Sequence, residues 1–164
     1  MKLREYGQSI WLDYLRRSML TSGELRKLID EDGIHGITSN PAIFEKAIGG
    51  SEDYTSAIHT LAHEQKSVDE IYGDLTVHDI QEAADLFRDT YENQKRQDGY
   101  VSLEVSPKLA RDTEGTITEA RELWKAVNRP NVMIKVPGTK EGLPAIRKLI
   151  SEGINVNVTL LFGL

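Results

Sequence analysis

The stretch "NVMIKVPG", residues 131–138, sets one charged side chain inside an apolar run that otherwise reads as a buried strand. Strand alternation puts Asn131, Met133 and Lys135 on one face, with Val132, Ile134 and Val136 on the other. The lysine therefore points away from the more apolar face. Pro137 cannot donate to a sheet ladder and Gly138 permits a sharp turn, so the strand should end within two residues of Lys135. That leaves an amine at a strand's carboxyl end.

Outward from this strand, short β-rich runs alternate with longer helical stretches. "SIWLD" (9–13), "HGITS" (35–39), "YVSLEV" (100–105), "NVMIKV" (131–136) and "INVNVTLLF" (154–162) are the strand candidates. Helices are expected from about Thr21 to Glu31, from Thr76 with a capping-box-like Asp79 three residues on, near 113–127, and near 140–152. Their inward stripes are Leu25, Leu28 and Ile29; Val77, Ile80, Ala84, Phe87 and Tyr91; Ile117, Ala120, Trp124 and Val127; and Ile146, Leu149 and Ile150. The segment at about 51–95 reads as a helical insertion between the second and third strands. No repeat, low-complexity tract or flexible linker marks a boundary, so residues 1–164 read as one domain.

Strand–helix alternation predicts an α/β fold with a parallel sheet, either doubly wound or part of a (β/α)₈ barrel. Polar residues decide between the two. Asp13, Glu104, Lys135, and the pair Asn157 and Thr159 stand at or near the carboxyl ends of four strands, and Asn40 lies just past the remaining one. A barrel gathers all its strand ends at one mouth, whereas a flat sheet keeps them apart. The first strand–helix turn, "DYLRRSML", carries neither a glycine-rich dinucleotide fingerprint nor a Walker motif. The reading is a barrel, of which about the first five strands are present.

Bulk properties narrow the partners. A formal charge of −6 argues against a nucleic-acid footprint, which needs a concentrated excess of Lys and Arg. No apolar run approaches the roughly 20 residues that span a bilayer, so no membrane partner is expected and the expected location is the cytoplasm. With no cysteine, disulfides and thiol catalysis are excluded.

The motifs "IWLDYLRR", "GITSNPAIFEKAI", "DGYVSLEVSP", "VMIKVPGTKEGLPAI" and "EGINVNVTLLF", which together span nearly the whole chain, resemble the transaldolase family. That resemblance implies a (β/α)₈ TIM barrel in which a lysine Schiff base moves a dihydroxyacetone unit from a ketose phosphate (sedoheptulose 7-phosphate or fructose 6-phosphate) to an aldose phosphate. This is a step of the non-oxidative pentose phosphate pathway. It places the Schiff-base lysine at Lys135, proton transfer at Glu104 through a water held with Thr159, and the base for carbon–carbon cleavage at Asp13. Asn40 and Asn157 would orient the dihydroxyacetone hydroxyls. Neither cofactor nor metal is implied. The partners implied are small sugar phosphates, with room for a homo-oligomer and for fusion to a phosphoglucose isomerase in a longer protein.

The chemistry fits these residue types. An amine attacks a ketone only when neutral, and free lysine titrates at about 10.4; desolvation in an apolar strand disfavours the charged form and makes the amine a usable nucleophile. The iminium that follows draws electrons from the adjacent carbon–carbon bond, so no metal is needed. Each residue also has a plainer structural role: Lys135 and Glu104 as an ion pair, Asp13 as a cap, Thr159 as a strand former, and the asparagines as partners of backbone groups.

Other features carry less. His59 and His63 lie one helical turn apart without the Glu of a metalloprotease motif, and Trp11 and Trp124 read as packing. Arg16 and Arg17 read as a solvated helix start, with a phosphate contact left open. A (β/α)₈ barrel usually takes about 250 residues, so three strands and the family's phosphate-binding arginines are expected beyond Leu164. By that count the 164-residue chain alone should be inactive. The competing readings are a smaller Schiff-base sugar-phosphate aldolase and an inactive fragment or interaction module.

Overall fold

A computed structural model describes residues 2–163. Five strands, β1 (Trp11–Asp13), β2 (Gly36–Thr38), β3 (Tyr100–Glu104), β4 (Val132–Pro137) and β5 (Val156–Thr159), run parallel in the spatial order β1-β2-β3-β4-β5. A doubly wound sheet reverses its order at a switch point, whereas a barrel adds each strand beside the last. The order here is the barrel's.

Helices α1 (Arg17–Thr21) and α2 (Glu24–Lys27) connect β1 to β2, and α3 (Pro41–Gly49), α4 (Thr55–His63), α5 (Val68–Leu86) and α6 (Arg88–Asn93) lie between β2 and β3. Helix α7 (Thr113–Val127) links β3 to β4, and α8 (Gly142–Ser151) links β4 to β5. The alternation sorts the two faces of the sheet. Ile37, Val101, Val132, Ile134 and Val136 are fully buried on the helix side, packed with Leu25, Ile80, Ala84, Phe87, Ile117, Ala120 and Leu149. The opposite face carries Asp13, Thr38, Ser102, Glu104, Lys135 and Asn157 in neighbouring register positions.

That polar face is concave. Asn157 Nδ2 donates to Ser102 Oγ at 3.0 Å, and Lys135 Nζ donates to the Ser39 carbonyl at 3.1 Å, each bond passing over an intervening strand. Strands two apart in a flat sheet are roughly 9–10 Å from each other, too far for the short side chains of Asn and Ser to meet. The amino end of this face is filled by Trp11, whose indole lies so close over Gly36 that a Cβ there would collide with the ring.

The expected elements are present, with corrections at their edges. The helix read from Thr76 begins at Val68, because Ser67 and Glu70 form a complete capping box; Thr76 sits mid-helix, its hydroxyl donating to the Gly73 carbonyl. The helix read over 21–31 is broken at Gly23 (φ +82°) and ends in a π-helical turn, Leu28–Asp32. Ile150, assigned to an inward stripe, is exposed, while Leu149 of the same stripe is buried and Ala145 joins it there. The last strand stops at Thr159, where Leu160 takes φ +64° and turns the chain away. Among the described residues no helix is long and apolar enough to cross a membrane.

Candidate active site

The register of β3, β4 and β5 builds the centre of the site. Glu104 pairs with Lys135 and Lys135 with Asn157, so a carboxylate, an amine and an amide stand in one row on three adjacent strands. Lys135 is the one buried lysine among the described residues. Its Nζ lies 3.3 Å from Glu104 Oε2 and donates to the Ser39 carbonyl. Parallel pairing and side-chain alternation are enough to produce this contact, since the two residues are register partners on the concave face near the carboxyl ends of their strands. The ion pair and a proton path are thus the same geometry: the carboxylate that neutralises the ammonium is also placed to receive its proton.

One register step below, Asp13, Thr38 and Ser102 form a second row. The Thr38 hydroxyl donates to Asp13 Oδ1, and the Ser39 hydroxyl donates to the Ser102 carbonyl at 2.8 Å. Asn40 caps α3, its Oδ1 accepting from the Ile43 amide at 3.0 Å with Pro41 at the first helical position. The Asn40 amide Nδ2 makes no hydrogen bond among the described residues. Thr159 stands one step nearer the mouth than Asn157, in register with Pro137, and its hydroxyl makes no side-chain hydrogen bond among the described residues. The structure therefore joins Lys135 and Glu104 directly, and sets Asn157 beside Lys135 in the register with its amide on Ser102, while Asp13, Asn40 and Thr159 stand at neighbouring strand ends.

The two arginines after β1 have separate fates. Arg16 pairs with Glu24 on the surface. Arg17 is not a solvated helix start: it forks onto the fully buried Asp79 of α5 at 2.7 and 2.9 Å, and its guanidinium lies 4.3 Å above the Tyr54 ring. The Tyr54 hydroxyl donates to Asp79 at 2.7 Å and accepts from the Arg17 amide, and burial with this carboxylate beside it pushes the phenol up. The network fastens the chain just past Asp13 to the helices between β2 and β3. His59 and His63 are exposed on α4.

The sequence reading passed over Thr38, Ser39 and Ser102. Alternation could have flagged Ser102, which shares a face with Glu104 two residues on. Thr38 reads as an ordinary strand residue until its register with Asp13 is known.

A family model described as "Transaldolase/Fructose-6-phosphate aldolase" matches residues 10–164. A transaldolase of Trichodesmium erythraeum is 54% identical over 163 residues, covering 99% of this chain and 43% of its own length. A transaldolase of Saccharopolyspora erythraea is 52% identical over 161 residues, with 98% and 43% covered, and a "Transaldolase 2" of Nostoc punctiforme is 50% identical over 163 residues. The chain thus spans about 43% of the length of these relatives. With five parallel strands in barrel order and a match across almost all its residues, the chain belongs to the transaldolase/fructose-6-phosphate aldolase family.

Proposed function

We propose that this chain supplies the Schiff-base centre of a transaldolase. The observation that carries the reading is the buried amine of Lys135, held in one row between Glu104 and Asn157 at the carboxyl end of the sheet. Glu104 takes a proton from the ammonium, and the neutral amine attacks the ketone carbon of a ketose phosphate. The same carboxyl group returns a proton as the carbinolamine loses water, in concert with a water held by Thr159, and an iminium forms on Nζ. Asp13 then removes the proton of the hydroxyl carried by the far carbon of the bond to be broken. That oxygen becomes an aldehyde, the carbon–carbon electron pair moves into the iminium, and a three-carbon enamine stays on Lys135. Addition of the enamine to an aldose phosphate, followed by hydrolysis, completes the transfer. Asn157 and the free Asn40 amide orient the hydroxyls of the dihydroxyacetone unit.

The order of events follows from position. Glu104 touches the amine, so it serves the steps at nitrogen; Asp13 lies in the other row, on the far strand, so it serves the bond remote from nitrogen. The family description also includes fructose 6-phosphate aldolases, in which the same enamine would be protonated rather than transferred. That reading is separated by adding erythrose 4-phosphate: transfer yields a seven-carbon ketose phosphate, and simple cleavage yields free dihydroxyacetone.

The test is borohydride reduction in the presence of fructose 6-phosphate, using a protein of the relatives' full length that carries this sequence. A dihydroxyacetone-derived mass is expected on the peptide holding Lys135 and is expected to vanish in Lys135→Met. Labelling at Lys46 or Lys140 instead, or at no lysine, overturns the assignment.

A further inference from the structure

The three consecutive residues Thr38, Ser39 and Asn40 each bond to a different element. Thr38 reaches β1 through Asp13, Ser39 reaches β3 through the Ser102 carbonyl and β4 through Lys135 Nζ, and Asn40 caps α3. Two of these contacts end on the groups assigned to opposite halves of the reaction. Asp13 is the last residue of its strand and is exposed, so nothing in its own strand fixes its carboxylate. Thr38 stands directly opposite in the parallel register. Its β-branched side chain is stiff about the first torsion, so the position of its hydroxyl follows from the strand backbone. The hydroxyl has a single hydrogen, and it goes to Asp13 Oδ1. The second oxygen, Oδ2, is left for substrate.

We infer that Thr38 is a positioning residue for carbon–carbon bond cleavage: its hydroxyl holds Oδ1 of Asp13 so that Oδ2 faces the substrate hydroxyl whose proton is lost. Thr38 does not itself meet the substrate, and no proton moves through it. Ser39, one residue on, meets the amine through its backbone carbonyl, so neighbouring residues face separable steps. This inference rests on the proposed Schiff-base reading and adds a residue to it.

The experiment measures two steps in the full-length protein. The first is the amount of iminium trapped on Lys135 by borohydride; the second is the single-turnover rate of aldehyde release from fructose 6-phosphate. Thr38→Val keeps the shape of the side chain and removes the hydroxyl. It is expected to leave trapping near the unmodified level and to slow aldehyde release by about 10- to 100-fold, the scale of a misaimed catalytic group. Thr38→Ser restores the hydroxyl and is expected to recover most of the rate. Aldehyde release at the unmodified rate in Thr38→Val overturns the inference. So does equal loss of trapping and release, or a Thr38→Ser variant no faster than Thr38→Val, because either marks a structural role. Absence of trapping in the unmodified protein would count against the Schiff-base reading itself, a result distinct from all of these.

Discussion

The sheet carries a polar cluster at each end, and the two differ in how their hydrogen bonds close. At the amino end, Asp98 accepts from the Ser9 hydroxyl at 2.7 Å and the Gly99 amide at 3.1 Å, with His35 Nδ1 2.9 Å away, and the Trp11 indole donates to Ser9 at 3.0 Å. At the carboxyl end, among the described residues, Glu104 has one partner, Lys135, and Asp13 has one, Thr38. Solvent exposure does not distinguish the two central pairs: the His35 and Asp98 side chains are 13% and 15% exposed, those of Lys135 and Glu104 10% and 19%. Valence does. A carboxylate with three donors is finished and ties β1, β2 and the start of β3 together. A carboxylate with one donor keeps lone pairs for a substrate or a proton. The same side-chain types therefore serve as a clasp at one end and a reaction centre at the other, as expected of a barrel, whose stability and chemistry sit on opposite faces.

The sharpest break between the ends is expected from removing charge at each carboxylate. Glu104→Gln keeps the shape of the row but cannot accept the Lys135 proton, so iminium formation should slow by about 10²–10⁴-fold with the thermal transition little changed. Rapid-quench borohydride trapping measures the first and calorimetry the second. A variant that traps iminium at the unmodified rate would mean that Glu104 is only the ion-pair partner of Lys135.

A smaller and opposite pattern is expected from Asp98→Asn. One acceptor oxygen becomes a donor group facing Ser9 or His35, so a shielded polar contact is lost at a cost of roughly 1–3 kcal/mol. Denaturant unfolding should show the loss, while the turnover per folded molecule stays at the unmodified value. A large fall in turnover with unchanged stability would erase the distinction between clasp and reaction centre.

What could be read from the sequence was what repeats locally. Period-two alternation sets Lys135 on the face opposite Val132, Ile134 and Val136, polar residues near strand ends mark Glu104 and Asn157, and period 3.6 gives the helix at Thr113–Val127 and the burial of Ile80, Ala84 and Phe87. The start of α5 was misread because two hydroxyl-x-x-acid patterns, Ser67–Glu70 and Thr76–Asp79, compete nine residues apart. In the fold Asp79 is drawn off to Arg17, sixty-two positions away, so only the first can cap. The Arg17–Asp79–Tyr54 network and the Thr38–Asp13 bond share this difficulty. Each depends on which strands and helices become neighbours, and no periodicity within either segment carries that information.

The smallest expected effect lies where the carboxyl end is propped from behind. Glu119 on α7 accepts from the Ser106 amide at 3.1 Å, two residues past Glu104, and so holds the loop that leaves β3. Burial pushes its carboxyl above the ordinary value, with the Ser106 amide working the other way and Glu122 adding a little. A carboxyl raised in the folded state favours folding when protonated: that contribution is complete below its unfolded value and is lost as pH climbs through the folded one. The ionised form of Glu119 therefore stands in a place that disfavours its charge. Glu119→Gln keeps an acceptor for the Ser106 amide without the charge, so the variant should melt slightly higher at pH 7, by an amount corresponding to about 0.5 kcal/mol or less. The gap should close as the pH is lowered through the carboxylate range, where Glu119 itself becomes neutral. A variant that melts lower at pH 7 would show that the Ser106 bond needs the ionised group, and that the loop behind Glu104 is held by charge rather than by a neutral hydrogen bond.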